Sequence, residues 1–343
     1  MTTLAPLPSQ VSPPWRRKAL GPLVRLLDRY GYMRRRLHRN PRLRILTYHG
    51  VCSEDVAGEA WVPRHFVTEG HFAQQMRILL NLGRIVRLSD VVEDLVDGRP
   101  FDEPCFAITF DDGHACTLRH ALPAMDALGI QATFFVTTGH VDRGEGFLSD
   151  RLGVLGSLPL RLAERMHSDL RHYVESPERA KHVPYDRVQS MLDEYWPVVA
   201  DGLDRRIAET LRPVSWTELG DLHRSGHEIA AHTVSHVILT QESCSRREAE
   251  IVDSVRRIRE NISRCDGFAY PNGGRNDFDG YDVGVLRREG IRYAVTTTPG
   301  CCVPPLDRYR LPRTSVGLGH DDCTFALEMS GYLDRRRRRL QVP

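Results

Sequence analysis

This chain predicts an α/β fold on a mainly parallel sheet or barrel, and three observations carry that prediction. From residue 43 onward, short apolar segments alternate with helix-patterned ones. The repeated order is strand then helix, which sets successive strands parallel. A length of 343 residues, 41% hydrophobic and 27% charged, can bury one large core.

Seven strand segments are expected, a number that suits a closed barrel: residues 43–48, 84–87, 105–110, 131–136, 228–231, 267–270 and 293–297. Helices are expected at 71–82, 115–128, 215–224, 246–262 and 281–289. Most are followed by a glycine, Gly83, Gly129, Gly226 or Gly290, which predicts left-handed caps. Residues from about 150 to 212 break this rhythm. They are charged and helix-patterned, as in Leu160-Arg161-Leu162-Ala163-Glu164-Arg165-Met166, and read as a helical insertion that caps the site.

The net charge of +2 conceals an asymmetry, because residues 1–44 hold eleven Arg or Lys against Asp28 alone and so carry +10, leaving −8 on the remainder. Within that segment Leu20, Leu23, Val24, Leu27 and Tyr30 fall at helical spacing among Arg25, Arg29, Arg34, Arg35 and Arg36. The pattern fits an amphipathic helix on an anionic membrane surface, and equally a helix docked on the body. Nucleic acid is not an expected partner, since the body is acidic and no binding motif accompanies the charge. The division expected is a basic extension at 1–42, a barrel at 43–334 carrying the insertion, and a basic tail at 335–343 that includes Arg335 to Arg339.

No run of about 18 apolar residues occurs, and residues 1–14 lack the basic and apolar regions of a secretory leader. Eight scattered cysteines with no C-x-x-C pair read as free thiols in a reducing compartment. The expected location is the cytoplasm, with peripheral attachment at the inner face of the membrane through residues 16–44 as the alternative that the basic segment raises.

Two strand ends carry the chemistry. Thr109-Phe110-Asp111-Asp112-Gly113 closes one apolar run, and His232-Thr233-Val234-Ser235-His236 closes another. Fifteen histidines would give about 0.7 H-x-x-x-H pairs by chance, and the chain has two, so spacing alone decides nothing. His223 and His227 straddle Gly226, where the helix should stop, and are set aside as a decoy. His232 and His236 can bind one ion if the turn after the strand is helical, since residues four apart then lie side by side. Asp111 and Asp112 share a site only if the strand ends there, and Gly113 supplies the turn. In a barrel the C-terminal strand ends line the active site, so all four side chains can converge.

With these motifs, followed by Phe268-Ala269-Tyr270-Pro271-Asn272-Gly273, the sequence resembles the NodB-homology polysaccharide deacetylases, a carbohydrate esterase family, over about residues 43–141 and 214–331. The resemblance implies a distorted (β/α)7-type barrel. It implies a divalent ion, most commonly Zn2+, held by Asp112, His232 and His236, with Asp111 as the base. Two imidazoles and one carboxylate leave coordination positions for water and a substrate carbonyl. Thr233 or Ser235 is a candidate to orient a ligand. The Tyr270 segment matches the family's oxyanion and substrate motif, and Asn272 is the favoured N–H donor because proline has none.

The chain departs from the family in lacking the arginine that precedes this proline, and Arg275 and Arg313 are the two candidate replacements. Two residues compete as general acid: His49, in a Tyr-His pair found in a subset of these deacetylases, and His320, in a late L-x-H motif. His49 is preferred, because the segment around His320 reads as a polar loop.

The implied activity is metal-dependent removal of the acetyl group from an N-acetylated sugar, in a polysaccharide, a lipid-linked precursor or a glycosylated metabolite. Two alternatives stand beside it: hydrolysis of a non-sugar amide or cyclic C–N bond on the same barrel, and a catalytically silent glycan-binding barrel.

Overall fold

The computed structural model describes residues 31–158, 166, 168–200 and 202–332. The amphipathic pattern from Leu20 to Tyr30, residues 160–165 and the Arg335 to Arg339 run lie outside them. Ten strands occur among the described residues: β1 (Leu43–Tyr48), β2 (Val51–Cys52), β3 (Val67–Thr68), β4 (Arg84–Ile85), β5 (Cys105–Phe110), β6 (Thr133–Val136), β7 (Glu228–Ala231), β8 (Gly267–Ala269), β9 (Tyr293–Pro299) and β10 (Leu311–Ser315).

Neighbours run parallel in the order β1-β10-β9-β8-β7-β6-β5, and β1 pairs back onto β5 along its whole length, Leu43 opposite Cys105 through Tyr48 opposite Phe110. That second pairing closes a barrel of seven parallel strands. The small strand β4 joins β5 only at Cys105 and Phe106, while β6 joins it at Thr109 and Phe110. β4 therefore fills the gap at one end of the seam and is not a stave.

The predicted set of seven included β4 and omitted β10. The reason is visible in Leu311-Pro312-Arg313-Thr314-Ser315, which has no apolar run and carries a proline, a residue that cannot donate to a ladder. The ladder accommodates it with a register shift, Leu311 opposite Val295 but Arg313 opposite Pro299.

Alternation along the staves sorts side chains into two layers. Leu43, Ile45, Cys105, Ala107, Phe135, Ala230, Ala269, Tyr293, Val295 and Leu311 pack together inside the barrel, stoppered by Leu88, Val92 and Leu95 of the helix Leu88–Val96. Leu46, Tyr48, Phe106, Ile108, Phe110, Phe134, Val136, Ile229 and Phe268 face the surrounding helices. Both faces are buried, as expected of a parallel sheet under helices. The helix Glu69–Leu82 buries Phe72, Met76, Leu79 and Leu82 at three- and four-residue spacing, each contributing about 1.5–3 kcal/mol.

The other predicted helices form with shifted ends. Residues 115–128 divide into Cys116–His120 and Leu122–Ala127, since Pro123 cannot donate to the turn before it. Gly129, Gly226 and Gly290 have the left-handed φ expected of them. Gly83 does not: its backbone is extended at φ 178°, and a Cβ there would lie 2.1 Å from the Pro104 carbonyl oxygen. Close approach, not capping, requires that glycine.

Between β6 and β7 the chain runs through the helices Thr138–Arg143, Leu148–Ser157, Ser168–Glu175, Tyr185–Ala200, Arg205–Leu211 and Trp216–Arg224. A separate cluster, with Leu152, Leu155, Leu170, Val188 and Leu192 at its centre, holds the middle of this segment together. All eight cysteines are free.

Candidate active site

Alternation along β5 puts Cys105, Ala107 and Thr109 inside the barrel, and Asp111 continues that inner row just beyond the strand end. Its N–H donates to the Tyr48 carbonyl oxygen at 2.9 Å, so it stays registered on β1. Arg313 occupies the matching inner position of β10. The guanidinium donates to both carboxylate oxygens of Asp111, at 2.7 and 2.6 Å, and also to Thr109 Oγ1 at 3.1 Å and the Thr296 carbonyl oxygen at 2.9 Å. Burial alone would raise the Asp111 pKa, but Arg313, aided by His232, holds it below the ordinary carboxylate value. Of the two candidate replacements for the missing arginine, Arg313 contacts Asp111; Arg275 is solvent-exposed.

Asp112 would point outward if the strand continued. It takes a left-handed backbone, φ 72°, and Gly113 follows at φ 99°, so the chain turns one residue before the glycine. This brings Asp112 Oδ1 to 3.3 Å from His236 Nε2 and 3.5 Å from His232 Nε2. Asp112, His232 and His236 each offer a ligating atom within 4.8 Å of the others. His232 also extends an inner row, after Ala230, and its Nδ1 lies 2.7 Å from the Ala269 carbonyl oxygen. That contact makes Nδ1 the protonated nitrogen of the neutral ring, leaving the Nε2 lone pair toward Asp112.

The turn that carries His236 is not helical. Thr233 and His236 both have left-handed backbones, φ 64° and 60°, at a cost of about 1–3 kcal/mol each, the β-branched Thr233 being the costlier of the two. Three hydrogen bonds hold the turn: the His236 N–H donates to Thr233 Oγ1 at 3.0 Å, and the N–H groups of Val234 and Ser235 donate to Glu250 Oε2 at 2.9 and 2.8 Å. Glu250 comes from the helix Cys244–Ile262, is buried, and no sequence motif marks it. Replacing Glu250 with alanine is expected to weaken divalent-ion affinity about 10–100-fold, with Glu250→Gln, which keeps an acceptor oxygen, recovering most of it. Ion titration calorimetry on the three proteins checks this.

Asp111, Asp112, His232 and His236 share a cavity of about 340 Å3 with His49, His65, His140 and Asn272. His49 follows β1 and its ring lies against that of His65, centroids 4.4 Å apart and tilted by 58°, each ring having one buried nitrogen without a hydrogen-bond partner. Burial, with His65 alongside, lowers the His49 pKa to about 3. Asn272 has a left-handed backbone, φ 56°, braced where Thr297 Oγ1 donates to its carbonyl oxygen at 2.5 Å, and its own N–H has no protein acceptor among the described residues.

Two candidate residues have their polar groups engaged elsewhere. Tyr270 lines the cavity but offers it no hydrogen-bond donor: its N–H donates to the Val295 carbonyl oxygen, its hydroxyl donates to the Tyr309 carbonyl oxygen at 3.1 Å, and its ring stacks on Phe278 at 3.7 Å. It supports the loop that presents Asn272. His320 does not line the cavity. Its Nδ1 accepts the Gly317 N–H and its Nε2 lies 3.4 Å from Glu328, an arrangement internal to its own loop and the helix Asp322–Met329. The decoy pair stays apart from any ligand group, with His223 exposed and His227 Nδ1 accepting the Ala132 N–H.

The donor set fits a divalent ion. Asp112 Oδ1 is buried with no hydrogen-bond partner while two imidazole nitrogens face it at distances too long for good hydrogen bonds. A cation that accepts all three lone pairs satisfies them together.

A family model described as polysaccharide deacetylase matches residues 98–281. No curated protein matches the chain. Solved structures with a similar fold include the Streptococcus pyogenes deacetylase PplD in complex with acetate, 16% identical with a TM-score of 0.58, covering 85% of this chain and 99% of that one. IcaB from Ammonifex degensii is 18% identical with a TM-score of 0.56, covering 85% and 98% respectively. A de-N-acetylase from Aggregatibacter actinomycetemcomitans is 15% identical with a TM-score of 0.56, covering 84% and 99%. At these identities the likeness is one of fold.

Proposed function

The chain belongs to the polysaccharide deacetylase family, and on that footing we propose that it is a metal-dependent hydrolase that removes the acetyl group from an N-acetylated sugar. One observation carries this reading: a buried, unpartnered Asp112 oxygen facing two imidazole nitrogens, next to a second carboxylate, Asp111, that Arg313 keeps ionised. Asp112, His232 and His236 would hold the ion, with zinc the element that suits two nitrogens and one oxygen. Such an ion supplies Lewis acidity to the amide carbonyl and to a water.

The protein's own groups account for the rest. Asp111, with its pKa held low, takes a proton from the attacking water as the oxygen bonds to the carbonyl carbon. The Asn272 N–H donates to the oxygen where negative charge develops. The C–N bond then breaks, the nitrogen gains a proton, and acetate and the amine leave. His49 is the proposed proton donor. It is neutral in the free protein, so the proton it delivers is one gained during the cycle, and the proton that Asp111 took from water is the available source.

His49→Ala is expected to lower kcat by about 10²–10⁴-fold, whereas His320→Ala should leave kcat within a few-fold of the parent. Steady-state acetate release distinguishes them. The reading as a whole is tested by elemental analysis of the purified protein together with acetate release across a panel of N-acetylated sugars. Zinc near one equivalent and activity lost on EDTA treatment are expected; full activity in metal-free protein overturns the reading.

We also propose that the enzyme works in the cytoplasm, with residues 16–44 touching an anionic membrane surface. In the described part of that segment, the helix Tyr32–His38 docks through buried Met33 and leaves Arg34 and Arg35 exposed. Among the described residues no helix is long and apolar enough to cross a membrane. The full chain should float with phosphatidylserine vesicles and a chain starting at Arg42 should not; equal flotation removes the idea.

A further inference from the structure

We propose that the sugar substrate carries an apolar substituent, seated in an aliphatic subsite that the helical segment between β6 and β7 builds against the catalytic residues. This rests on the deacetylase reading above and narrows it to N-acetylated glycosides with an apolar aglycone.

The cavity that contains Asp111, Asp112, His232 and His236 is also lined by Leu148, Leu152 and Val183 of that segment and by Val237 and Ile238 of the loop after β7. Leu152 and Val237 are buried, while Leu148, Val183 and Ile238 are half-buried, so the wall they present is aliphatic. Phe147 cannot serve as a stacking platform for a sugar face. It is 3% exposed and its ring is wedged between His114 at 4.6 Å and His140 at 4.4 Å. Of the polar residues that line the cavity with them, Ser149, Lys181 and Gln241 are exposed to solvent, the Tyr185 hydroxyl donates to Gln189 Oε1 at 3.1 Å, and Glu242 lies beside Arg246 at 3.4 Å.

A second sugar ring against this wall would exchange the water around several hydroxyls for aliphatic carbon, leaving them unpaired. An alkyl or aryl group in the same place loses nothing polar and removes apolar surface from water on both sides. Size agrees with this. About 340 Å3 lies near the lower end of the roughly 300–1,000 Å3 typical of ligand pockets, room for one sugar and a short appendage rather than for a polymer passing through.

The test compares acetate release by the zinc-loaded full chain from octyl N-acetyl-β-glucosaminide, N-acetylglucosamine and chitotetraose. The octyl glycoside should exceed both others in kcat/KM by at least about tenfold, the effect of burying two or more methylenes. Val183→Asp and Ile238→Asp should each bring the ratio of octyl glycoside to free sugar down to within a few-fold of one. The ratio is internal to each protein, so a loss of folded material cancels, and if neither variant folds the comparison on the parent still decides. Chitotetraose equal to or better than the octyl glycoside overturns the inference and leaves the deacetylase reading standing, as does a preference that survives both substitutions. Acetate from none of the three overturns the deacetylase reading and this inference together.

Discussion

His236→Ala is expected to leave the barrel folded and to abolish tight binding of a divalent ion. The His236 side chain is 31% exposed and sits on a turn held by Thr233 and Glu250, so its loss opens no core cavity. His232 is a poorer choice for this experiment. It is 2% exposed and bound to the Ala269 carbonyl, so its removal would mix packing with ligation. Two ligands remain in the variant, and affinity should fall by more than about 100-fold, beyond the cost of losing an outer partner.

A thermal readout separates binding from activity. An ion at 100 times its Kd stabilises the parent by about 2.7 kcal/mol, and the melting temperature of the variant should not respond to the same ion concentration. The ligating imidazoles must be neutral, and although burial lowers the His232 pKa, Asp112 and Asp111 outweigh it and hold it above the ordinary value, so binding to the parent should weaken as the pH falls. An unchanged zinc-dependent rise in Tm for His236→Ala would remove these three side chains as the ion site.

The four motif residues were legible because each pair belongs to one short segment at the end of an apolar run. Local sequence there fixes both the strand and its termination. Two details of that reading came out differently for one reason: the turn after each strand is made by left-handed residues rather than by a helix or by the glycine alone. Asp, His and Asn tolerate that backbone, and Asp112, His236 and Asn272 all use it at the rim of the barrel.

What the sequence hid is what long-range packing decides. Arg313 could be named only as one of two candidates, because β10 has the composition of a loop and its inward arginine is stabilised by Asp111, 202 positions away. Glu250 reaches the His236 turn from a helix whose pattern says only amphipathic. His65 lies 16 residues from His49 in sequence, and only the fold brings the two rings together. His320 shows the converse, a residue in a suggestive motif whose neighbours, Gly317 and Glu328, are local.

Arg313→Met is expected to cost about 3–5 kcal/mol of stability, because it leaves the Asp111 carboxylate buried without its counter-charge. Arg313 is 0% exposed, bonds both Asp111 oxygens, and lies 5.6 Å over the Phe135 ring, so a methionine fills much of the same space without replacing the charge. Asp111→Asn should be comparably destabilising from the other side, since it strands a buried guanidinium. The double variant should recover most of the loss, because neither ion then has to be stripped of water.

Activity follows a different pattern from stability in this cycle. All three variants should lose about 10²–10⁴-fold in acetate release: two lack the carboxylate, and in Arg313→Met burial raises the Asp111 pKa so that it no longer holds the ionised form. Acid titration supplies the sign. The folded-state pKa of Asp111 lies below its unfolded value of about 3.9, so the pair's contribution is complete above that pH and disappears as the pH falls through the folded value. The double variant, which has no such contribution to lose, should therefore show a flatter loss of stability below about pH 4 than the parent. Denaturant unfolding of the four proteins measures both effects. A double variant as unstable as the sum of the singles would show that Arg313 and Asp111 act independently, and would leave the ionisation of the base without its structural cause.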